Sequence, residues 1–261
     1  MTSIQENSRI KSAEQITEDI FRLTLHAPMI VSQAKPGQFV MVKTSSNLDP
    51  LLRRPFSIHD VSADGDLLLL YKTIGKGTTL LSALTQGMSV DLIGPLGNCF
   101  TYSGNHDVCL IGGGMGIAPL LFWARHLSSG VTKPGTHRVL LGARHRRELQ
   151  PIATAFQSLG YNVDLATDDG SLGHHGFVSQ LLPPILPSVQ GVYVCGPTPL
   201  MQEVANQCHE IDIPCQASME THMACGLGAC LGCTIHGSDG TYKHVCKHGP
   251  IFDAKEVLWT I

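Results

Sequence analysis

The sequence predicts an antiparallel β-barrel or sandwich, then a doubly wound parallel α/β domain, then a short cysteine-rich tail. Three observations predict it. Short strand-like runs at close spacing fill the first hundred residues; from about residue 105 apolar runs alternate with helix-length segments; and cysteines crowd the last 42 residues. A chain of 261 residues fits about two domains at roughly 150 residues each.

The first part reads as strands over 19–26, 39–43, 54–61, 66–74 and 89–93, punctuated by turn residues at 36–37, 49–50, 64–65, 75–77 and 94–95. Regular short strands with one helix candidate, 78–85, argue for an antiparallel architecture. The second part places buried strands at 108–111, 138–141, 162–166, 192–195 and 215–218, with helices near 119–128, 148–159, 178–182 and 199–210. That alternation is the pattern of βαβ units on a parallel sheet. The tail from Glu220 is too small for an ordinary core, so a metal or disulfide staple is expected.

Composition removes several functions. A hydrophobic fraction of 43% with 15% charged residues is that of a folded chain rather than a disordered one. A net charge of −3 offers no basic field for nucleic acid or an anionic membrane. Two long uncharged stretches, 108–124 and 176–202, are broken by glycines and prolines and do not read as spanning helices. Residues 1–10 are polar and give no apolar signal segment. A cytoplasmic location is expected, where structural disulfides are rare.

The tail cysteines follow the spacing Cys225-x4-Cys230-x2-Cys233-x12-Cys246. The first three are interleaved with Gly226, Gly228 and Gly232, which permits a tight loop. Asp239-Gly240 reads as a two-residue hairpin turn, pairing Ser238 with Thr241. Stepping outward, it sets Cys233 opposite Cys246 at about 4.5–5.5 Å between Cα atoms. C-x4-C-x2-C with a distant fourth cysteine is the spacing of plant-type 2Fe–2S ligands. Structural zinc, which favours two C-x2-C pairs, and disulfides are the competing readings. Cys99, Cys109, Cys208 and Cys215 read as small core residues. Cys195 ends a parallel strand before Gly196-Pro197, so it either faces a nucleotide or packs.

Glycine turns suggest phosphates. Gly112, Gly113, Gly114 and Gly116 follow a strand and open a helix at Pro119, as in a dinucleotide cradle. Tight strand–helix packing explains the same residues, and no Asp or Glu ends the second strand to hold a ribose. Arg144, Arg146 and Arg147 follow that strand and could grip a 2′-phosphate, although a charge run is more often a solvated face. Earlier, Arg54-Pro55-Phe56-Ser57 offers a guanidinium fork, and Gly75-Lys76-Gly77-Thr78 opens a helix that could take an anion.

These motifs occur in the order found in ferredoxin–NADP reductase-like flavoproteins: Arg54 to Ser57, Leu70-Tyr71-Lys72, Gly77-Thr78, the 94–97 turn, the 112–119 turn, the 168–173 turn and Cys195-Gly196-Pro197 onward. With the cysteine tail, preceded by Ser218-Met219-Glu220 and followed by Gly249-Pro250-Ile251-Phe252, the whole chain resembles one branch, the electron-transfer subunits of NAD-dependent class B dihydroorotate dehydrogenases. The resemblance implies a Greek-key FAD-binding barrel over 1–102, an NAD-binding domain over 103–219 and a 2Fe–2S segment over 220–261. It implies that Arg54, Pro55, Phe56 and Ser57 contact the isoalloxazine and nearby groups, that Leu70, Tyr71 and Lys72 line the flavin, and that Gly77 and Thr78 hold its pyrophosphate. The 112–119 turn and Cys195, Gly196 and Pro197 would face the nicotinamide dinucleotide, with NAD favoured over NADP. Thr221 and His222 stand where the family usually has an acidic and a basic residue.

The resemblance also implies a function, that of an oxidoreductase subunit of pyrimidine biosynthesis. Such a subunit relays electrons from an FMN-containing catalytic subunit, in a heterotetramer of two of each, through a 2Fe–2S cluster and FAD to NAD. Two alternatives stand beside it: an NAD(P)H-oxidising subunit of a hydrogenase, sulfide reductase or transhydrogenase complex, and a zinc-stapled nucleotide-binding module without electron transfer.

Overall fold

The first sheet is built from β1 (Ile4–Gln15), β2 (Ile20–His26), β3 (Phe39–Val42), β4 (Arg54–Ser57), β5 (Asp60–Val61), β6 (Asp66–Lys72) and β7 (Ser89–Leu96), with short helices α1 (Pro28–Val31) and α2 (Lys76–Ser82). The computed structural model describes residues 3–45, 47–102, 104, 106–129 and 136–259. All pairings are antiparallel, in the order β4-β3-β7-β1-β2-β6-β5. The β2–β3 and β6–β7 connections each skip two strands, a Greek-key kind of crossing, and β4 comes round against β6. The result is a half-barrel.

Two differences from the sequence reading have local causes. The expected strand over 54–61 is two strands, β4 on one sheet edge and β5 on the other. The longest strand, β1, escaped notice because its inward positions are Ile4, Glu6, Ser8 and Ile10, which do not alternate apolar with polar. Glu6 is satisfied inside: its carboxylate accepts the N–H groups of Met29 and Ile30 at 3.3 and 3.0 Å, where α1 begins.

The second sheet holds β8 (Cys109–Gly113), β9 (Arg138–Ala143), β10 (Asn162–Thr167), β11 (His174–His175), β12 (Val192–Cys195) and β13 (Cys215–Ser218). Beyond them lie the hairpin β14 (Thr234–His236) and β15 (Tyr242–His244), and finally β16 (Ile251–Asp253). The sheet order is β11-β10-β9-β8-β12-β13-β16, parallel through β13 and antiparallel only at β16. Helices α3 (Ala118–Ser128) and α4 (Arg146–Ser158) cover one face. Helix α5 (Thr198–Glu210) and 3-10 turns at Val178–Leu181 and Leu186–Ser188 cover the other; α6 (Val245–His248) belongs to the tail. Pro183, Pro184 and Pro187 remove the N–H groups that a regular helix after residue 178 would need. Among the described residues no helix is long and apolar enough to cross a membrane.

The half-barrel and the α/β part meet through polar contacts. His59 places Nδ1 2.7 Å from the carbonyl of Ala118, at the start of α3, with almost no solvent around it. Next to it, buried Asp60 receives Arg125 of α3 at 2.7 Å, and Lys72 bridges Asp19 and Glu148 of α4 at 2.9 and 3.0 Å. Burial holds the His59 imidazole below its ordinary pKa, so the folded state keeps it neutral, although the Ala118 carbonyl and Asp60 favour the charged form. Below about pH 6.5 the unfolded chain gains a proton that the folded chain refuses, and stability falls by about 1 kcal/mol for each further pH unit. Urea melts at about pH 7.5 and about pH 5.5 should therefore show a smaller acid loss for His59→Gln than for the parent. Equal losses would rule His59 out as the cause.

Candidate functional site

The carboxyl end of β8, the open side of β4 and the cysteine tail converge on one region. β4 is a sheet edge, and all four of its residues, Arg54, Pro55, Phe56 and Ser57, are half-buried. Pro55 suits an edge, where no ladder N–H is required. Arg54 donates from Nη1 to the carbonyls of Leu52 and Arg53 at 2.7 and 3.3 Å and meets no carboxylate among the described residues. Gly77 faces it: a Cβ there would stand 3.2 Å from Arg54 Nε and 3.4 Å from Thr44 Oγ1. Thr44 Oγ1 is buried with no partner among the described residues. An orphaned hydroxyl and a guanidinium fork beside the first N–H groups of α2 suit a pyrophosphate.

The other predicted flavin contacts are placed differently from one another. Thr78 spends its hydroxyl on its own loop, accepting from Ile74 N and Gly75 N at 2.9 and 3.2 Å and donating to Gly75 O at 2.9 Å. Tyr71 is buried in the half-barrel, stacked on Phe21 at 5.9 Å and edge-on to Phe56 at 5.5 Å. Leu70 faces the opposite core, with Phe100 and Trp123. The ammonium of Lys72 is held by Asp19 and Glu148, so its place is the interface.

The 112–119 segment runs from β8 through a 3-10 turn, Gly114–Ile117, into α3. β8 lies between β9 and β12, whose connections leave in opposite directions; that switch point is where open α/β sheets bind ligands. Gly114 has φ +55 with open space beside it, whereas a Cβ on Gly116 would stand 2.5 Å from the backbone of Cys195 and Gly196. Gly112 and Gly113 abut Ile117 and Leu200, and Pro197 caps α5. Cys195 is fully buried, its thiol donating to Ser218 O at 3.7 Å, and burial pushes its pKa up.

The four tail cysteines lie together. Cys233 and Cys246 have sulfurs 3.3 Å apart. Backbone N–H groups surround them: Leu227 and Cys230 donate to Cys225 Sγ at 3.3 and 3.4 Å, Gly228 to Cys246 Sγ at 3.1 Å, and Cys246 to Cys233 Sγ at 3.4 Å. Burial opposes it, but those donors bring the Cys225 thiol down to about 6, while burial and the Cys233 thiol push Cys246 up to about 12. Cys233 and Cys246 form one close pair, and Cys225 and Cys230 share the adjoining glycine-rich loop, where the Cys230 N–H reaches Cys225 Sγ. Paired thiols under N–H donors suit a two-iron cluster, whose potential such hydrogen bonds tune.

The hairpin expectation needs correction. The observed register pairs Thr234 with His244, Ile235 with Lys243 and His236 with Tyr242, one residue out of step with the predicted turn. Gly237 N bonds Thr241 O at 2.8 Å around a three-residue loop, with Gly240 at φ 78 and Asp239 accepting from Thr241 N at 3.0 Å. Cys246 reaches Cys233 from α6 instead of the opposite strand.

Comparison with known proteins fits this geometry. Residues 7–102 match the oxidoreductase FAD-binding domain, and residues 220–258 match the iron-sulfur cluster binding domain of dihydroorotate dehydrogenase B. Over 97% of this chain and 98% of the relative, it is 37% identical to the dihydroorotate dehydrogenase B (NAD(+)), electron transfer subunit, of Desulforamulus reducens. The subunit of the same name from Geobacillus kaustophilus is 36% identical over the same shares. The chain belongs to the dihydroorotate dehydrogenase B electron transfer subunit family. A structure of the NADH-dependent reduced ferredoxin-NADP oxidoreductase, studied for flavin-based electron bifurcation, superposes with a TM-score of 0.87 at 29% identity, covering 97% of this chain and 90% of that one. The ferredoxin reductase in carbazole 1,9a-dioxygenase shares the fold, with a TM-score of 0.67 at 21% identity over 82% and 68% of the two chains.

As a member of that family, the chain is an oxidoreductase component with an FAD-binding domain and an iron–sulfur domain. Its geometry also names residues that no motif signalled. Thr44 lies outside every recognisable pattern. Asn98 ties the tail to the half-barrel, donating to the carbonyls of His248 and Ile251 at 3.0 and 2.7 Å and accepting from Ile251 N at 2.9 Å. Thr221 Oγ1, between Glu220 and Cys225, is buried without a partner among the described residues.

Proposed function

We propose that this chain passes electrons between the FMN-containing catalytic subunit of a dihydroorotate dehydrogenase and NAD, in the cytoplasm, within a heterotetramer. One observation carries the reading: a Cβ on Gly226 would stand 2.5 Å from Met41 of β3, so the cysteine loop rests directly on the strand beside β4. Flavin and cluster sites built from those residues are neighbours. Arg54 and Thr44, with the backbone of Gly77 and Thr78, would hold the FAD pyrophosphate, Cys225, Cys230, Cys233 and Cys246 the irons, and the 112–116 turn with the backbone of Cys195, Gly196 and Pro197 the dinucleotide, the Cys195 thiol itself packing inside. Bound there, FAD would supply hydride exchange with nicotinamide and single-electron exchange with the cluster. The protein's part is alignment, exclusion of water and N–H donation to sulfur. The divisions 1–102, 103–219 and 220–261 go with this reading, with β16 carrying the last segment into the second sheet.

Exposed Leu227 and Leu231 flank exposed Cys230, and this face suits the catalytic subunit because the electrons leave there. Anaerobic titration of the FAD-loaded, iron- and sulfide-reconstituted chain with NADH should bleach the flavin and then the cluster; a flavin that bleaches over an untouched cluster would end the relay. Arg54→Ala should lower FAD affinity by about tenfold or more, the worth of one charge-assisted contact, with Thr44→Val losing less. Flavin retained through gel filtration measures both. The likeness to the NADH-dependent reduced ferredoxin-NADP oxidoreductase structure supports a second reading, a different iron–sulfur flavoprotein partner. Co-purification with an FMN protein active on dihydroorotate separates the two.

A further inference from the structure

A basic depression lies between the loops that follow β9 and β10 of the second sheet. β9 ends at Ala143 and runs through Arg144 and His145 into α4, which opens with Arg146 and Arg147. Between this loop and the one after β10 lies an open depression of about 590 Å³, lined by His145, Arg146, Arg147, Gln150, Asp169 and Ser171.

Its charge is not neutralised from within. Arg22, Arg53, Arg125 and Arg138 each meet a carboxylate. Arg146 rests Nε on Gln150 Oε1 at 2.8 Å, and among the described residues neither its terminal nitrogens nor Arg147 finds a protein acceptor. The acidic residue of the same helix turn, Glu148, is turned away to Lys72 at 3.0 Å. Asp169 lies in the depression with both oxygens engaged: one accepts from Ser171 N and Oγ at 3.0 and 2.6 Å, the other meets His145 Nδ1 at 2.9 Å. The first N–H of α4 is already taken by Ser171 Oγ at 2.9 Å. What remains on offer is guanidinium.

The location gives that charge a use. In a doubly wound sheet the adenosine ribose lies beyond the second strand, where an acidic side chain takes the 2′-hydroxyl of NAD and an arginine accommodates the 2′-phosphate of NADP. Here β9 is that strand, beside glycine-bearing β8, and residues 143–147 include no Asp or Glu. We propose that this depression receives the 2′-phosphate of the adenosine ribose, so that the chain accepts NADP(H) beside the NAD(H) of its relatives' names. The inference rests on the dinucleotide site proposed for the 112–116 turn. The hydride leaves NADPH for the flavin as it leaves NADH, so the balance of the reaction is unchanged and only the handle differs.

The test is calorimetric titration of the FAD-loaded full chain with adenosine 2′,5′-bisphosphate and with adenosine 5′-monophosphate. The bisphosphate is expected to bind about tenfold more tightly or better, the value of one charge-assisted contact, and the ratio should shrink with added salt. In Arg146→Ala/Arg147→Ala and in Arg147→Glu, both at exposed positions, the ratio should fall towards one. A parent ratio near one, or a ratio that survives both variants, overturns the proposal. Flavin bleaching by NADH in the same parent preparation reports the underlying dinucleotide site separately: bleaching with no bisphosphate preference removes the 2′-phosphate site alone, and no bleaching removes both.

Discussion

Cys246→Ser is expected to turn a brown protein yellow. The Cys246 sulfur is buried, 3.3 Å from the Cys233 sulfur, and it accepts the Gly228 N–H at 3.1 Å. A serine oxygen is a harder donor on a shorter arm, and iron–sulfur clusters select thiolate. Iron and acid-labile sulfide in the purified variant should fall close to zero. Electron delivery from NADH to the catalytic subunit should drop by at least about a hundredfold, beyond the losses usual for changes around a metal's ligands. Flavin bleaching by NADH should persist, because β4, α2 and the 112–119 turn do not need the tail cysteines. The same change should lower the melting temperature, since a segment this small takes folding free energy from its metal. Exposed Cys230→Ser should lose the cluster with less harm to the metal-free fold. Parent levels of iron and sulfide in Cys246→Ser would remove that residue from the ligand set.

What could be read in advance depended on how much of each element's stability is local. β12 was legible at its observed bounds, 192–195, because a strand buried on both faces is a continuous apolar run. β1 was not, because Glu6 and Ser8 point inward and Glu6 is satisfied only by α1, a partner 23 residues away. The cysteine spacing announced the ligands, yet the turn between Cys233 and Cys246 was misjudged. Asp239-Gly240 fits a two-residue loop, but the Asp239 carboxylate, accepting from Thr241 N and Oγ1, stabilises a three-residue one with Gly240 left-handed. Lys72 belongs to a motif and still finds its partners, Asp19 and Glu148, only in three dimensions. Thr44 gave no signal at all, since one threonine in a polar loop becomes informative only when its hydroxyl is seen buried and unpartnered.

The glycines of the 112–116 turn separate packing from ligand approach, and a pair of alanine variants should display the difference. Gly116→Ala would put a methyl carbon 2.5 Å from the carbonyl carbon and oxygen of Cys195 and from Gly196 Cα. Those are backbone atoms on the end of a central strand, which cannot swing aside as a side chain does. The turn must lift away from β12, at a cost of about 3 kcal/mol by the usual scale of overpacking. Gly114→Ala meets open space and bears only the strain of a left-handed residue, about 1 kcal/mol. Thermal melts should thus rank Gly116→Ala well below Gly114→Ala. Moving the turn also moves the N–H groups that would face the pyrophosphate, so Gly116→Ala should slow flavin bleaching by NADH by about tenfold or more, the scale of one lost charge-assisted contact. Its FAD content should stay at the parent level, because Arg54, Thr44 and Gly77 belong to the half-barrel. Equal melting temperatures for the two variants would show that the close approach of Gly116 to Cys195 and Gly196 does not limit stability. Loss of FAD together with NADH response would mean that the two sheets fold as one unit and that Gly116 reports on the whole chain.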